Sequence, residues 1–159
     1  MSDSTAIPGN REIDQAQAEL RAAAIFEPYQ RAISNEIDRR EEQGLETVLV
    51  ALHSFTPRMG GLDRPWHAGI LHDGEDSRFA RAMLTALGDD PALNVGDNEP
   101  YSMDTIDFTI PFHAYPRRLP YVEIEIRQDL LAEDTDIEQW SARLERALNA
   151  AHATFRSLT

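Results

Sequence analysis

The chain of 159 residues is long enough to bury the core of one domain, and its apolar and charged fractions, 42% and 27%, are ordinary for a globular protein. Acidic residues outnumber basic ones 28 to 15, and the resulting formal charge of −13 argues against nucleic acid and anionic membranes as partners. Cysteine is absent, which excludes disulfides, thiolate metal sites and cysteine nucleophiles. The first residues lack the basic and then apolar order of a secretory signal, so we expect a cytoplasmic protein.

The first third of the chain predicts helices followed by a strand. Residues 1–10 are rich in turn-forming types and predict an irregular leading segment of a single domain that spans residues 1–159. From residue 12 to 43, apolar side chains recur at helical spacing, which predicts two helices or one helix kinked near Pro28. Gly44 is a good stop for the second helix. The nearly continuous apolar run 46–53 predicts a strand covered on both faces, as in the centre of a parallel sheet.

The rest of the chain alternates between strand and helix patterns. Strands are predicted at 66–71, 92–95 and 121–127, and helices at 76–87 and 137–155. This alternation indicates a layered α/β domain. Only three or four strands are evident, which is few for a sheet with helices on both faces. We therefore expect a domain that lacks strands at its N-terminal side.

Candidate chemistry begins with His53, which ends the most apolar strand and precedes a polar turn. Ligands bind beyond the carboxyl ends of strands in open α/β sheets, so His53 is either a functional imidazole or a hydrogen-bonded residue at a strand end. Glu123 and Glu125 are two residues apart on a predicted strand, so both carboxylates point to one face. They predict either an acidic edge that faces solvent, paired with Arg127, or a general base with an orienting cation.

Local groups of arginine are needed if a small acidic substrate is to bind against the negative charge of the chain. Arg64, in Arg-Pro-Trp-His, and the pair Arg117-Arg118 are such groups, since a guanidinium binds a carboxylate at two points. Ordinary ion pairs with the surplus acidic residues are the alternative, favoured at Arg117-Arg118. Asn98 and Tyr101 follow a Gly-Asp turn and serve either a site or only the turn.

Three segments, taken together, resemble the N-formylglutamate amidohydrolase family. They are Val50–Pro57 continuing into Arg64–Ile70, then Gly96–Ser102, then Glu123–Leu130. The strings His-Ser-Phe-Thr-Pro and Asn-Glu-Pro-Tyr-Ser are specific in combination, and the resemblance covers most of residues 7–131. It implies a three-layer αβα sandwich with a mixed or mostly parallel central sheet, similar to zinc carboxypeptidases.

The resemblance also implies that a metal-bound water attacks the amide of an N-acylated acidic amino acid such as N-formylglutamate. On this view His53 is a ligand of Zn²⁺ and Glu125 is the general base, preferred to Glu123 because it matches the family pattern. Further residues would bind the substrate: Arg64, Asn98, Tyr101, His113 and Arg127.

One departure from the family pattern concerns the metal ligands. Family members carry a further N-terminal portion that supplies other ligands, whereas a catalytic zinc site needs about three from the protein. If His67, His72 or His113 approaches His53, the enzyme hypothesis is favoured. If these histidines are scattered, the favoured alternative is a non-catalytic binding or structural domain, or an inactive fragment that needs a partner chain. An exposed sheet edge would also predict an oligomer or a partner chain that covers it.

Overall fold

The computed structural model describes residues 6–103 and 107–158, so the first half of the predicted irregular leading segment lies outside the described residues. The chain divides into two compact units, Met1–Thr47 and Val48–Thr159. The single domain expected from the sequence stays a prediction. Within the described ranges, no helix is both long enough and apolar enough to cross a membrane.

The first unit is helical over most of its length, in two α-helices joined by a π-helical segment: α1 (Gln15–Arg21), Ala22–Phe26 and α2 (Glu27–Glu42). The side chain of Asp14 caps α1 by accepting a 2.7 Å hydrogen bond from the N–H of Gln17. Pro28 lies in the first turn of α2, immediately after the π-helical segment, so the helical elements are continuous through it. Gly44 follows α2 with a φ of 65°, in agreement with the predicted helix stop.

The second unit is built on a four-stranded sheet. Its described strands are β1 (Leu49–Phe55), β2 (Arg58–Met59), β3 (Leu62–Asp63), β4 (Ala68–Leu71), β5 (Val95–Asp97) and β6 (Tyr121–Arg127). The sheet has the order β1–β6–β4–β5, and β2 pairs with β3 in a separate hairpin. The pairs β1–β6 and β4–β5 are parallel, whereas β4 and β6 are antiparallel. The sheet is thus mixed and mostly parallel, which confirms the predicted α/β class.

Among the described residues of this unit, the α-helices are α3 (Arg78–Gly88), α4 (Thr109–His113) and α5 (Asp134–Arg156). Alternate residues of β6 point to opposite faces of the sheet, and Ile124 belongs to a core that α3 and α5 share. Phe79 of α3 meets Phe155 of α5 edge to face within this core. On the opposite face, Ile110 of α4 packs in a smaller cluster with Ala51 and Tyr121. Helices therefore contact both faces of the sheet.

Two sequence-based expectations about the strands are wrong. β1 lies at an edge of the sheet instead of its centre, and Leu52 is 58% exposed. A continuous apolar run shows that a strand is apolar but not how many neighbours it has. β6 is a central strand, so the alternative in which its acidic residues face solvent fails: Glu123 and Glu125 are only 8% and 6% exposed.

Candidate metal centre

Three potential metal ligands converge on one face of the sheet. β1 and β6 are paired so that His53 lies opposite Glu125, while Glu123 lies opposite Ala51. Side chains opposite each other share a face, and so do residues two apart on one strand. One ligand atom from each of His53, Glu123 and Glu125 lies within 4.8 Å of the other two.

The burial of the two carboxylates gives this group its electrostatic character. Burial and the negative charge of Asp107 raise the pKa of Glu123 to about 7. A metal ion between Glu123 and Glu125 would favour their ionised forms. One imidazole and two carboxylates are nitrogen and oxygen donors, which suit zinc and other divalent transition metals. The residues present therefore fit a divalent metal ion.

The group forms the floor of a pocket with a volume of about 460 Å³. Small-molecule sites commonly have volumes of about 300–1,000 Å³, so the space is large enough for a small molecule. Its lining residues are His53, Leu71, Pro100, Tyr101, Ser102, Asp107, Glu123 and Glu125. Three of these residues are carboxylic acids, and an anionic substrate would be repelled unless a cation offsets them.

Two glycines allow the loop after β5 to lie flat on the sheet. A β-carbon at Gly96 would lie 2.6 Å from the β-carbon of Glu99, and one at Gly69 would overlap the Glu99 carbonyl oxygen. Only glycine permits so close an approach of two backbones. The loop continues through Pro100 to Tyr101, which lines the pocket.

Arg64 contacts the ring of Tyr101, a residue that lines the pocket. The guanidinium lies 4.7 Å from the ring centroid of Tyr101 and 5.8 Å from that of Phe55. It also donates to the side-chain hydroxyl of Thr56 at 3.1 Å, and the residue is 8% exposed. Arg64 is therefore a buried cation held between two rings, one of which lines the pocket.

Arg127 and Asn98, two other predicted substrate contacts, lie outside the described pocket lining, as Arg64 does. Arg127 donates to the backbone oxygen of Arg64 at 3.3 Å and to the carboxylate of Asp129 at 2.7 Å. Asn98 has a φ of 54°, and its side chain accepts a 2.8 Å bond from the N–H of His72. Both residues thereby hold the surrounding backbone in place.

His113, also predicted to contact substrate, is fully buried on α4 and lies outside the described pocket lining. Burial and the positive charge of Arg117 lower the pKa of its imidazole, so the ring is neutral at physiological pH. The ring packs edge to face against Phe112 at a centroid distance of 4.9 Å. Its surroundings are those of a core residue.

None of the three histidines that were candidates for further ligands joins His53 in the described structure. His67 accepts a 2.7 Å hydrogen bond from the N–H of Asn94, and His72 bonds to the carboxylate of Asp97 at 2.7 Å. The scattered histidines favour the alternative of a non-catalytic domain or an inactive fragment. Glu123 offers a ligand atom instead. Its spacing from Glu125 indicated only a shared face, so the sequence did not assign it this role.

Comparisons with known proteins agree with the resemblance in the sequence. A family model described as N-formylglutamate amidohydrolase matches residues 1–132. A solved structure, the gene product Atu2144 from Agrobacterium tumefaciens, is similar at 35% identity with a TM-score of 0.86. The match covers 99% of this chain, which spans 61% of the Agrobacterium chain. Among curated proteins, none matches.

Proposed function

Because this chain belongs to the N-formylglutamate amidohydrolase family, we propose that its pocket hydrolyses the amide of an N-acylated acidic amino acid with the aid of a bound metal ion. The observation that carries the proposal is the convergence of His53, Glu123 and Glu125 on the pocket floor. N-formylglutamate is the substrate that the family name indicates, and Zn²⁺ is the metal that we expect.

The proposed roles combine the positions of the residues with the family pattern. His53 and Glu123 hold the ion, which when bound lowers the pKa of water and polarises the amide carbonyl. Glu125, directly opposite His53, takes a proton from the attacking water and delivers it to the leaving amine. Glu125 is assigned the proton transfer because it matches the family pattern, and this leaves Glu123 as the carboxylate ligand.

The substrate contacts that we propose are cationic or aromatic. Arg64, already held against Tyr101, offers positive charge beside the pocket for a substrate carboxylate. Tyr101 lines the pocket and covers the apolar part of the substrate. Arg127 orders the backbone around Arg64, and we expect it to act on binding through this contact.

The test separates metal binding from proton transfer. Purified wild type, His53→Ala, Glu123→Gln and Glu125→Gln are compared for zinc content and for hydrolysis of N-formylglutamate. We expect about one zinc per wild-type chain. We also expect loss of zinc in the first two variants. Glu125→Gln should keep the metal and lose roughly 10²–10⁴-fold in rate. His152→Ala, on α5, is the matched control for loss of an imidazole.

Two results would contradict this assignment. Full turnover in Glu125→Gln would remove Glu125 as the base. A wild-type chain that binds no zinc, cobalt or manganese, measured after incubation with each metal, would remove the metal-dependent mechanism.

A second candidate, a non-catalytic binding domain, is favoured by one observation. If Glu125 transfers protons, His53 and Glu123 are the ligands that remain in the group, whereas catalytic zinc sites have about three protein ligands. Calorimetric binding of N-formylglutamate without turnover, in the presence of zinc, would support this candidate over the enzyme.

A further inference from the structure

His72 is a buried histidine that the proposed reaction does not use. It directly follows the last residue of β4 and is 7% exposed. Its ring Nε2 lies 2.7 Å from Oδ1 of Asp97, the last residue of β5. An ionised carboxylate can only accept a hydrogen bond, so the ring donates through Nε2. This bond joins the ends of two neighbouring strands of the sheet.

The backbone of His72 is bonded to the residue that follows Asp97. The N–H of His72 donates to Oδ1 of Asn98 at 2.8 Å, and the N–H of Asn98 donates to the carbonyl of Ile70 at 2.9 Å. Asn98 has a φ of 54°, in the left-handed region that asparagine adopts more readily than most residues. Asp97 and Asn98 are thus both attached to His72, one through its ring and the other through its backbone.

These attachments lie next to two parts of the pocket wall along the chain. Leu71, directly before His72, lines the pocket. Tyr101 and Ser102 line it as well, and they belong to the pocket loop, which we define as residues 98–102. The pocket loop therefore begins at the residue that is bonded to His72.

The glycines beneath Glu99 leave room for the pocket loop but do not fix its position. Gly69 and Gly96 allow the loop to approach the sheet because they lack a β-carbon. A hydrogen bond, in contrast, has a preferred distance and direction. The bonds to His72 supply both on two consecutive residues, at the point where the chain leaves β5.

We propose that His72 is a positioning residue for the candidate site, and that its bonds to Asp97 and Asn98 set where Tyr101 lies in the pocket. Its effect on turnover rests on the proposed function, because it acts on bound substrate only through Tyr101. Its effect on the position of Tyr101 requires neither metal nor substrate. All of these residues belong to the second unit.

Fluorine NMR of protein labelled with 3-fluorotyrosine reports directly on Tyr101. The chain has four tyrosines, and the signal that is missing from Tyr101→Phe is that of Tyr101. His72→Leu keeps an apolar side chain in the buried position but loses the ring donor, so the Tyr101 signal should shift or broaden. His72→Gln retains an N–H donor for Asp97 and should keep the wild-type signal. His152→Leu, half-buried on α5, is the matched control.

Asp97→Ala removes the other partner of the same bond and serves as a second variant if His72→Leu fails to fold. The side chain of Asp97 is 58% exposed, so its loss leaves no cavity in the core. We expect the Tyr101 signal to move in this variant too. The double variant should move it no further than the larger of the two single changes, because the bond is already broken. The signal of Tyr29, in the first unit, should stay in place throughout.

Kinetics with zinc-loaded protein test the consequence for the site. In His72→Leu and Asp97→Ala we expect the KM for N-formylglutamate to rise roughly tenfold, with zinc content unchanged. The value of kcat should change less, because a contact that is equally strong in the ground state and the transition state affects KM alone. His72→Gln should return KM to within about twofold of the wild type.

An unmoved Tyr101 signal in folded His72→Leu and Asp97→Ala would overturn the proposal. A moved signal with an unchanged KM would overturn it as well, because the position of Tyr101 would then have no bearing on the site. If the wild type neither binds nor hydrolyses N-formylglutamate, the proposed function fails instead. The fluorine spectra still decide in that case whether His72 positions Tyr101.

Discussion

His53 and Glu125 lie directly opposite each other on two parallel strands, although the two residues are 72 positions apart along the chain. Their side chains reach the same pocket floor because parallel neighbours in register share a face. The geometry of the candidate centre thus depends on the β1–β6 register. A shift by one residue would send one of the two side chains to the opposite face.

Glu123→Gln should change how stability depends on pH in the metal-free protein. The folded pKa of Glu123, about 7, lies above the ~4.3 of an unfolded glutamate. Between these values the folded state holds a proton that the unfolded state releases, so this residue makes stability fall as pH rises. At pH 8 we expect the glutamine variant to be more stable than wild type by about 1–3 kcal/mol, with the difference vanishing near pH 4.

Urea unfolding at both pH values, with a chelator present, measures this difference. Asp107, His53 and Glu125 surround the carboxylate and stay unchanged in the variant. Glu145→Gln, at an exposed position of α5, is the control and should track the wild type. Parallel stability curves for wild type and Glu123→Gln would show that Glu123 is ionised at neutral pH without a metal.

Gly69→Ala should destabilise the second unit, because the added methyl group would overlap the carbonyl of Glu99. We expect a loss of about 2 kcal/mol or more in the free energy of unfolding, together with displacement of the loop that carries Tyr101. Gly74→Ala is the control, since no atom lies within 4 Å of its added carbon. Unfolding midpoints compared at equal m-values test the prediction, and equal losses in the two variants would refute it.

Arg64→Lys keeps the positive charge but loses the planar group that stacks between Phe55 and Tyr101. We expect a stability cost of about 1–3 kcal/mol and a rise in KM for N-formylglutamate of roughly tenfold. Arg31→Lys, at an exposed position of α2, is the control for replacing an arginine by a lysine. An unchanged KM in a folded Arg64→Lys protein would remove Arg64 from substrate binding.

Asp73→Asn should weaken the link between the segment after β4 and the start of β6. Asp73 accepts hydrogen bonds from the hydroxyls of Tyr115 and Tyr121. Burial raises the pKa of Asp73, but these bonds outweigh it and the net pKa lies below the usual value. The stabilisation is therefore present at neutral pH and is lost as pH falls below about 3.9. We expect a loss of about 1–3 kcal/mol at pH 7.

A double-mutant cycle with Tyr121→Phe measures the coupling directly. The two substitutions should be non-additive at pH 7 and should approach additivity as acid protonates the carboxylate of Asp73. Additive effects at pH 7 would show that Asp73 and Tyr121 stabilise the fold independently.

Much of the second unit is predictable from local pattern. The strict alternation at Tyr121–Arg127 predicted β6 with its observed bounds, and the apolar spacing before Gly88 predicted α3. The hairpin of β2 and β3 has two residues in each strand, too few to show any period. Helix α4, with five residues, escaped detection for the same reason.

The candidate site was predictable only in part. The strings His-Ser-Phe-Thr-Pro and Asn-Glu-Pro-Tyr-Ser pointed to two residues of the pocket, His53 and Tyr101. A string that is specific to a family identifies individual residues, which the periodicity of apolar side chains does not. The burial of Glu123 depends on the strands beside β6 and on the segment 100–102, which lines the same pocket over its acidic face. Strand order is a long-range property that the pattern within one strand does not encode.

The close contact of Glu99 with Gly69 and Gly96 has a consequence for redesign. One wall of the pocket is set by main chain lying on main chain, so its shape does not depend on which side chains project from positions 101 and 102. We therefore expect Ser102 to accept a library of substitutions on an unmoved scaffold, whereas Tyr101 also contacts Arg64. Substrate preference can then be retuned at position 102 while the floor beneath it stays constant.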